Sequence, residues 1–203
     1  MIKTVIFDLG GVIVPLDFPA GYRAIAARCD VAAEDVPKRI GDTGLVPMLE
    51  SGQVESEEFI RKVSEALGLA VSESEFRQLW SSIFPPHTLI PESLLAGLKR
   101  NYRLLLLSNT NSIHFEMICR NYALLGQFHD YVLSYKVGAM KPSPRIYEAA
   151  LALAGCRPEE CFFTDDIPAY VEGARQAGID AVQFQGFERL SEELDRRGIA
   201  WSI

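Results

Sequence analysis

The chain has 203 residues, of which 48% are hydrophobic, so it is long enough to bury a full core and one smaller module. Its formal net charge of -7 and the lack of any Lys- or Arg-rich block argue against nucleic acid or a membrane surface as a partner. The four cysteines form no CxxC pair and no metal-ligand spacing, which predicts reduced thiols in a cytoplasmic protein. Because a core strand begins almost at residue 1 and no apolar run reaches membrane-spanning length, we expect neither a signal peptide nor a membrane span.

The first predicted element is a strand at residues 5–7, whose apolar sequence is typical of burial on both faces. Asp8 ends this strand, and Gly10 and Gly11 then allow a tight turn. Asp8 is therefore expected at the carboxyl end of a core strand, where parallel α/β sheets bind their ligands. Taken alone, these residues fit an ordinary strand end better than a functional site.

Residues 15–86 contain helical spacings separated by Gly and Pro, and no strand comparable with the first. One predicted helix ends at Gly68, and a capping-box pattern beginning at Ser72 opens another. We therefore expect an all-helical module inserted after the first strand. The remaining segments, 1–14 and 87–203, are expected to form the main domain.

Beyond residue 87, predicted strands alternate with predicted helices, which favours a parallel sheet with right-handed crossovers. The strands are predicted at 102–107, 131–134, 161–164 and 181–184, and the helices at 92–101, 112–126, 145–154, 169–177 and 190–197. Residues 136–143 read as a loop, with Ser143 as N-cap of the helix that follows. The expected fold class is α/β, a Rossmann-like parallel sheet with a small helical insertion.

Polar side chains follow the predicted strands at their carboxyl ends: Asp8, Ser108, Asn109, Lys141, Asp165 and Asp166. In a parallel sheet these ends lie along one edge, so the side chains are expected to converge. Such a set suits phosphoryl transfer, in which a carboxylate attacks phosphorus and a divalent cation offsets the repulsion between the two anions. An ammonium and a hydroxyl would hold the phosphoryl oxygens, and ligands that are all oxygen favour Mg²⁺ over zinc.

Each of these residues also has a simpler interpretation. Ser108 can be a helix cap, and Lys141 can be an exposed loop charge. Asp165 and Asp166 can be solvated acids at a strand end. The prediction of a functional site therefore depends on these side chains lying close together at one edge of the sheet.

Four segments, FDLGGV, LLLLSNTN, GAMKPSPRIY and FFTDDIPAYVEGA, resemble in order and spacing the four motifs of the haloacid dehalogenase-like (HAD) hydrolases. The resemblance extends from Met1 to about Phe184. Residues 15–86 are similar to the family's smaller, helical (C1) cap. The second and fourth segments look most like the branch that includes sugar-phosphate phosphatases and the phosphatase domain of soluble epoxide hydrolases.

The resemblance implies roles for individual residues, which we treat as expectations. The catalytic residues would be Asp8 as nucleophile, Ser108 and Lys141. The Mg²⁺ ligands would be Asp8, the Gly10 carbonyl and Asp166, with Asp165 either a ligand or a neighbour that supports one. Substrate contacts would come from Gly11, Asn109 and His114, although His114 is as readily a packing residue.

Two positions depart from the family pattern. Gly10 stands where catalytic phosphatases usually carry a second Asp that acts as general acid and base, a contribution of roughly 10²- to 10⁴-fold in rate. Tyr170 stands where relatives with a paired Asp often have Asn, and the sequence does not say what this changes.

The resemblance predicts a Mg²⁺-dependent phosphatase of a small phosphorylated metabolite, slow or selective for good leaving groups because of Gly10, and either a monomer or a homodimer. One alternative is a metal-independent 2-haloacid dehalogenase, whose first motif also lacks the second Asp, but that reading leaves the Asp165–Asp166 pair poorly explained. The other is a non-catalytic relative that binds a phosphorylated ligand or a protein.

Overall fold

The computed structural model describes residues 1–201 and is built around a five-stranded parallel sheet. In chain order the strands are β1 (Thr4–Phe7), β2 (Arg103–Ser108), β3 (Asp130–Leu133), β4 (Cys161–Asp165) and β5 (Asp180–Gln183). Their order in space is β3-β2-β1-β4-β5, so the first strand lies at the centre. The register pairs Phe7 with Leu106 on one side and Thr164 on the other. The prediction of a parallel α/β sheet is confirmed.

The central strand is buried on both faces because successive side chains contact different layers. Phe7 belongs to an apolar cluster on one face, together with Leu106 and Phe162. Ile6 belongs to a cluster on the other face, together with Leu105. With both faces covered, ligands can approach the sheet only at its edges.

Residues 15–86, which follow β1, contain five α-helices and no strand. The helices are α1 (Phe18–Ala26), α2 (Val36–Asp42), α3 (Leu45–Glu50), α4 (Ser56–Leu67) and α5 (Glu73–Trp80), and a 3₁₀ turn (Ser81–Ile83) follows them. Gly68 ends α4 with a φ of +67°, and Ser72 opens α5 with a complete capping box. We call residues 15–86 the helical insert; its exact limits at residues 14 and 87 stay a prediction.

The helical insert has an apolar cluster of its own, in which Phe59, Val63 and Phe76 are almost fully buried. The rings of Phe59 and Trp80 meet edge to face, with centroids 4.9 Å apart. Ile113, which belongs to the main domain, also packs into this cluster. The insert is therefore docked onto the main domain by the same apolar contacts that hold its helices together.

The other helices cover the sheet: α6 (Glu92–Lys99), α7 (Ser112–Asn121), α8 (Ser134–Val137), α9 (Pro144–Ala154), α10 (Pro168–Gln176) and α11 (Phe187–Arg196). None of the helices in residues 1–201 is both long and apolar enough to cross a bilayer. The four cysteines are free thiols.

Two local predictions were wrong, and a third holds only in part. The helix predicted to reach residue 126 ends at Asn121, because Tyr122 adopts an extended backbone with its ring buried and its hydroxyl donating to the Pro85 carbonyl. Residues 136 and 137, predicted as the start of a loop, belong to α8 instead. Gly138, with a φ of +70°, ends that helix. Ser143 is the N-cap residue of α9 and Pro144 begins the helix, as predicted, but the Ser143 side chain makes no capping hydrogen bond.

Candidate active site

The side chains expected at the carboxyl edge of the sheet meet around the Lys141 ammonium. Lys141 Nζ lies 2.7 Å from Asp8 Oδ1 and 2.5 Å from Asp165 Oδ2, and it donates a third hydrogen bond to the Leu107 carbonyl at 3.1 Å. Asp8, Lys141 and Asp165 are all buried. The interpretation of Lys141 as an exposed loop charge is therefore wrong. We call Asp8, Lys141, Asp165 and Asp166 the carboxylate cluster.

Burial and charge act against each other in this cluster. Burial raises the pKa of Asp8, and Lys141 only partly opposes that rise. Burial alone would lower the pKa of Lys141, but the charges of Asp8 and Asp165, with the hydrogen bonds to both, raise it. The pKa of Asp166 is raised by burial and by the neighbouring Asp165. Three carboxylates sharing one ammonium leave excess negative charge, which a divalent cation would neutralise.

The cluster has the geometry that a metal ion requires. Asp8, Asp165 and Asp166 each offer a carboxylate oxygen, and these oxygens lie within 4.8 Å of one another. Asp166 Oδ1 is buried without a hydrogen-bond partner. Within residues 1–201 no backbone N–H donates to the Gly10 carbonyl. Since buried polar atoms normally have partners, Asp166 Oδ1 fits a hard, oxygen-binding cation, and the Gly10 carbonyl has no competing backbone donor among these residues.

Asp165 differs from Asp166 because both of its oxygens are already engaged. Oδ2 accepts from Lys141, and Oδ1 accepts from the Ile167 N–H at 2.9 Å. In this arrangement Asp165 holds Lys141 in place, whereas Asp166 keeps an oxygen available.

Gly11 packs closely against Asp166, and its expected contact with substrate stays a prediction. Its N–H donates to the Val14 carbonyl at 2.8 Å and is not available to a ligand. Its φ is +79°, and a Cβ there would lie 2.4 Å from Asp166 Oδ2. Glycine is therefore required so that Asp166 can occupy its position beside Asp8.

Ser108 and Asn109, which end β2, lie beside the cluster. Ser108 does not cap a helix, because Asn111 is the N-cap of α7. Its buried hydroxyl makes only a long hydrogen bond, 3.4 Å, to the Asn109 carbonyl and so is available to bind a ligand. The Asn109 side chain accepts from the Lys141 N–H at 2.8 Å and donates to the Lys141 carbonyl at 3.1 Å. Asn109 thus holds the loop that carries Lys141.

Tyr170 forms one wall around the same lysine. Its ring centroid lies 5.1 Å from Lys141 Nζ, and its hydroxyl lies 3.3 Å from Asn109 Nδ2. The ring covers the ammonium and the hydroxyl contacts the residue that fixes the Lys141 backbone. This departure from the family pattern therefore adds contacts around Lys141.

A small cavity of about 100 Å³ lies between the helical insert and this edge of the sheet; we call it the interface pocket. Gly10, Ser108 and Asn109 line it from the main domain, and apolar side chains such as Leu16 and Phe84 line much of the rest. Its contact with Ser108 makes it the place where the part of a ligand beyond the carboxylate cluster can lie.

His114 lines the interface pocket as a packing residue. Its ring stacks on Trp80 with centroids 5.6 Å apart, and its Nε2 lies 3.0 Å from the Trp80 carbonyl. Nδ1 lies 3.2 Å from Asn111 Nδ2, so both ring nitrogens have partners. Burial lowers the pKa of His114 to about 4. The ring is therefore neutral at pH 7, with Nε2 assigned as donor and Nδ1 as acceptor.

Sequence reasoning missed several residues of the helical insert that line the interface pocket, among them Leu16 and Glu50. Leu16 packs against Gly10, where a Cβ would lie 3.1 Å from Leu16 Cδ1. Glu50 is the last residue of the short helix α3. Neither residue belongs to a motif, and only the packing of the insert on the sheet brings them near Gly10.

Similar proteins agree with this architecture. Residues 2–178 match the family model for haloacid dehalogenase-like hydrolases. A D-ribitol-5-phosphate phosphatase of Bacteroides thetaiotaomicron is 29% identical over 203 aligned residues, which cover 96% of this chain and 97% of that protein. A phosphatase of Mycobacterium tuberculosis is 27% identical, with 89% of this chain and 86% of that protein covered.

A solved structure extends the comparison to three dimensions. A HAD family enzyme from Bacteroides thetaiotaomicron, in complex with magnesium and inorganic phosphate, matches with a TM-score of 0.83 and 28% identity. The match covers 95% of this chain and 99% of that one. With the family profile covering most of the sequence and the four motifs gathered at one sheet edge, the chain belongs to the haloacid dehalogenase-like hydrolases.

Proposed function

We propose that this hydrolase is a Mg²⁺-dependent phosphatase that removes phosphate from a small metabolite through an aspartyl-phosphate on Asp8. The observation that carries the proposal is the buried carboxylate cluster, in which Lys141 Nζ bonds both Asp8 and Asp165 next to an unpartnered oxygen of Asp166. The full-length similarity to a D-ribitol-5-phosphate phosphatase supports a phosphorylated polyol or sugar as the substrate class.

Asp8, Asp166 and the Gly10 carbonyl are the groups that would hold Mg²⁺. Each is an oxygen donor, and Asp166 Oδ1 has no other partner in the part of the chain that is described. Asp165 would hold Lys141 rather than the metal, since both of its oxygens are engaged. Bound Mg²⁺ would offset the repulsion between the anionic nucleophile and the anionic phosphate.

The protein's own side chains account for the remaining steps. A carboxylate oxygen of Asp8 attacks phosphorus and the bond to the leaving oxygen breaks, which produces an acyl phosphate that water later hydrolyses. The Lys141 ammonium and the Ser108 hydroxyl hold the phosphoryl oxygens as negative charge builds on them. The two hydrogen bonds between the Asn109 side chain and the Lys141 backbone, one accepted and one donated by Asn109, keep the ammonium in position.

The helical insert would act as a cap over this site. It contacts the main domain through the Ser56 and Ser112 hydroxyls, 2.6 Å apart, and through the His114 contact to Trp80. The interface pocket then receives the leaving group and limits access of water. A cytoplasmic location, and a monomer or homodimer, are part of this proposal.

The two alternative functions have less support from the site. Attack on carbon in a dehalogenase needs no metal, and it gives no reason for the unpartnered oxygen of Asp166 beside Asp8. A binding protein without catalysis has no need of a buried ammonium fixed between two carboxylates. The phosphatase function is therefore the one that the site supports best.

The test is phosphate release from a panel of polyol, sugar and acyl phosphates, with Mg²⁺ and with EDTA. We expect turnover with at least one phosphate ester that is lost in EDTA and restored by added Mg²⁺. Turnover that continues in EDTA, or chloride release from 2-chloropropionate without any phosphate release, would overturn the proposal.

A further inference from the structure

Glu50 is a carboxylate with no assigned role on the wall of the interface pocket. It is half-buried at the end of α3, and burial is the single cause that raises its pKa. Its carboxylate has no hydrogen-bond or ion-pair partner within residues 1–201. An acid in such a place holds its proton closer to neutral pH than an exposed one does.

Glu50 lies near Gly10, which lacks the acidic side chain that could protonate a leaving group. A Cβ on Gly10 would lie only 3.1 Å from Leu16 Cδ1. The helical insert therefore occupies the space beside Gly10. The same insert brings Glu50 to the wall of a pocket that Gly10 and Ser108 also line.

The other candidate proton donors are already engaged. Asp17 accepts the Ala20 N–H at 2.8 Å as N-cap of α1, and it does not line the interface pocket. His114 lines the pocket, but both of its ring nitrogens have partners and its pKa is lowered to about 4. Glu50 is the one carboxylate that lines this pocket within the described chain.

We propose that Glu50 supplies, from the helical insert, the proton that the leaving group needs. The inference rests on the proposed phosphatase function. As Asp8 bonds to phosphorus, the electron pair of the breaking P–O bond stays on the leaving oxygen, which takes the Glu50 proton and departs as an alcohol. In the second half-reaction the Glu50 carboxylate takes a proton from water. The water oxygen bonds to phosphorus, and Asp8 leaves as a carboxylate.

Few neighbouring groups titrate near Glu50. Tyr22 of α1 and His114 of α7 are the titratable side chains that share a cavity with it. Helices α2, α4 and α8 pack against α3, but no charge on them shifts the Glu50 pKa. A pH effect that depends on Glu50 is therefore attributable to its own proton.

The test compares Glu50→Gln with wild type on two substrates in Mg²⁺. Glycerol 1-phosphate has an alkoxide leaving group that needs a proton, whereas p-nitrophenyl phosphate leaves as a stable anion. We expect kcat/KM, which reports the first half-reaction, to fall roughly 10²- to 10³-fold for the alkyl phosphate and to change less than about threefold for the aryl phosphate. Hydrolysis of the aspartyl-phosphate is common to both substrates and should also slow, so kcat and KM for the aryl phosphate should fall together. The fall in alkyl-phosphate kcat/KM at alkaline pH should be present in wild type and absent in the variant.

Met48→Gln is the matched control, because Met48 lies on the same helix, is exposed and does not line the pocket. It should keep the wild-type ratio of alkyl-phosphate to aryl-phosphate kcat/KM. An unchanged ratio in Glu50→Gln, or a loss that appears equally with both substrates as a raised KM, overturns the role of Glu50 alone. Wild-type protein that releases no phosphate from either substrate overturns the proposed function and this inference together.

Discussion

The carboxylate cluster and the interface pocket lie side by side, but within the part of the chain that is described, charged groups are paired in the cluster and unpaired in the pocket. In the cluster, the Lys141 ammonium lies between the carboxylates of Asp8 and Asp165. Among the described residues, Asp166 Oδ1 is the cluster's one buried oxygen without a hydrogen-bond partner. In the pocket, much of the wall is apolar, and among residues 1–201 the carboxylate of Glu50 has no hydrogen-bond or ion-pair partner. The cluster is thus fixed in advance by opposite charges, as stabilisation of a developing charge requires. The pocket leaves its one acid free to exchange a proton.

The largest expected effect comes from the nucleophile. Asp8→Asn keeps the shape of the side chain but removes its ability to attack phosphorus, so kcat should fall by at least about 10⁴-fold. Phosphate release by the purified variant measures this, with thermal unfolding as the check on folding. The matched control is Asp17→Asn, because Asn also caps helices well and Asp17 lies outside the cluster. Near-normal turnover by Asp8→Asn would rule out the covalent mechanism.

The second prediction concerns the close packing at Gly11. A Cβ at this residue would lie 2.4 Å from Asp166 Oδ2, whereas a Cβ at Gly44 meets nothing within 4 Å. Both glycines have positive φ, +79° and +65°, so Ala at either position carries about 1–2 kcal/mol of backbone strain. Gly11→Ala should lower the free energy of unfolding by about 2–3 kcal/mol more than Gly44→Ala, because Asp166 must move. Equal losses in urea titrations would show that Asp166 is not confined by Gly11.

The third prediction separates metal binding from phosphate binding. Asp166→Ala should weaken Mg²⁺ binding by about 100-fold or more, because it removes the unpartnered oxygen that we assign to the metal. Ser108→Ala should change Mg²⁺ affinity less than about threefold and should instead weaken binding of inorganic phosphate. Calorimetric titration of both variants with Mg²⁺ measures the difference. Similar Mg²⁺ affinities would contradict the separate roles given to the carboxylate and the hydroxyl.

The same contrast explains how far the sequence could predict this site. Asp8, Ser108, Lys141 and Asp165 end strands or follow them, and a parallel sheet must bring those ends to one edge whatever the details of packing. Their convergence was therefore predictable, and so was the helical nature of the insert. That Asp165 would bond Lys141 through one oxygen and the Ile167 N–H through the other was not predictable, because both are single side-chain orientations.

The interface pocket could not be predicted in the same way. Glu50 and His114 are 64 residues apart in the chain and share a wall only because the insert folds back over the sheet. The sequence left His114 between a substrate contact and a packing residue. The stacking of its buried ring on Trp80 favours the role of a packing residue. That contact depends on how α5 lies against α7.

The smallest expected effect concerns this histidine and the stability of the interface. The pKa of His114 is lowered to about 4 in the folded protein, against 6.5 for an unhindered imidazole, because the ring is buried. Between these two values the unfolded chain binds a proton that the folded protein does not, so stability should be complete above pH 6.5 and should decline as the pH falls toward 4. His114→Gln can still donate to the Trp80 carbonyl but does not titrate. The wild type should therefore lose about 2 kcal/mol more than the variant over this range, as measured by urea unfolding at each pH. His87→Gln, at an exposed histidine that does not line the interface pocket, is the matched control for replacing an imidazole. If His114→Gln loses as much stability as wild type between pH 6.5 and 4, the ring accepts a proton in the folded state, and its place as a neutral wall of the pocket would have to be abandoned.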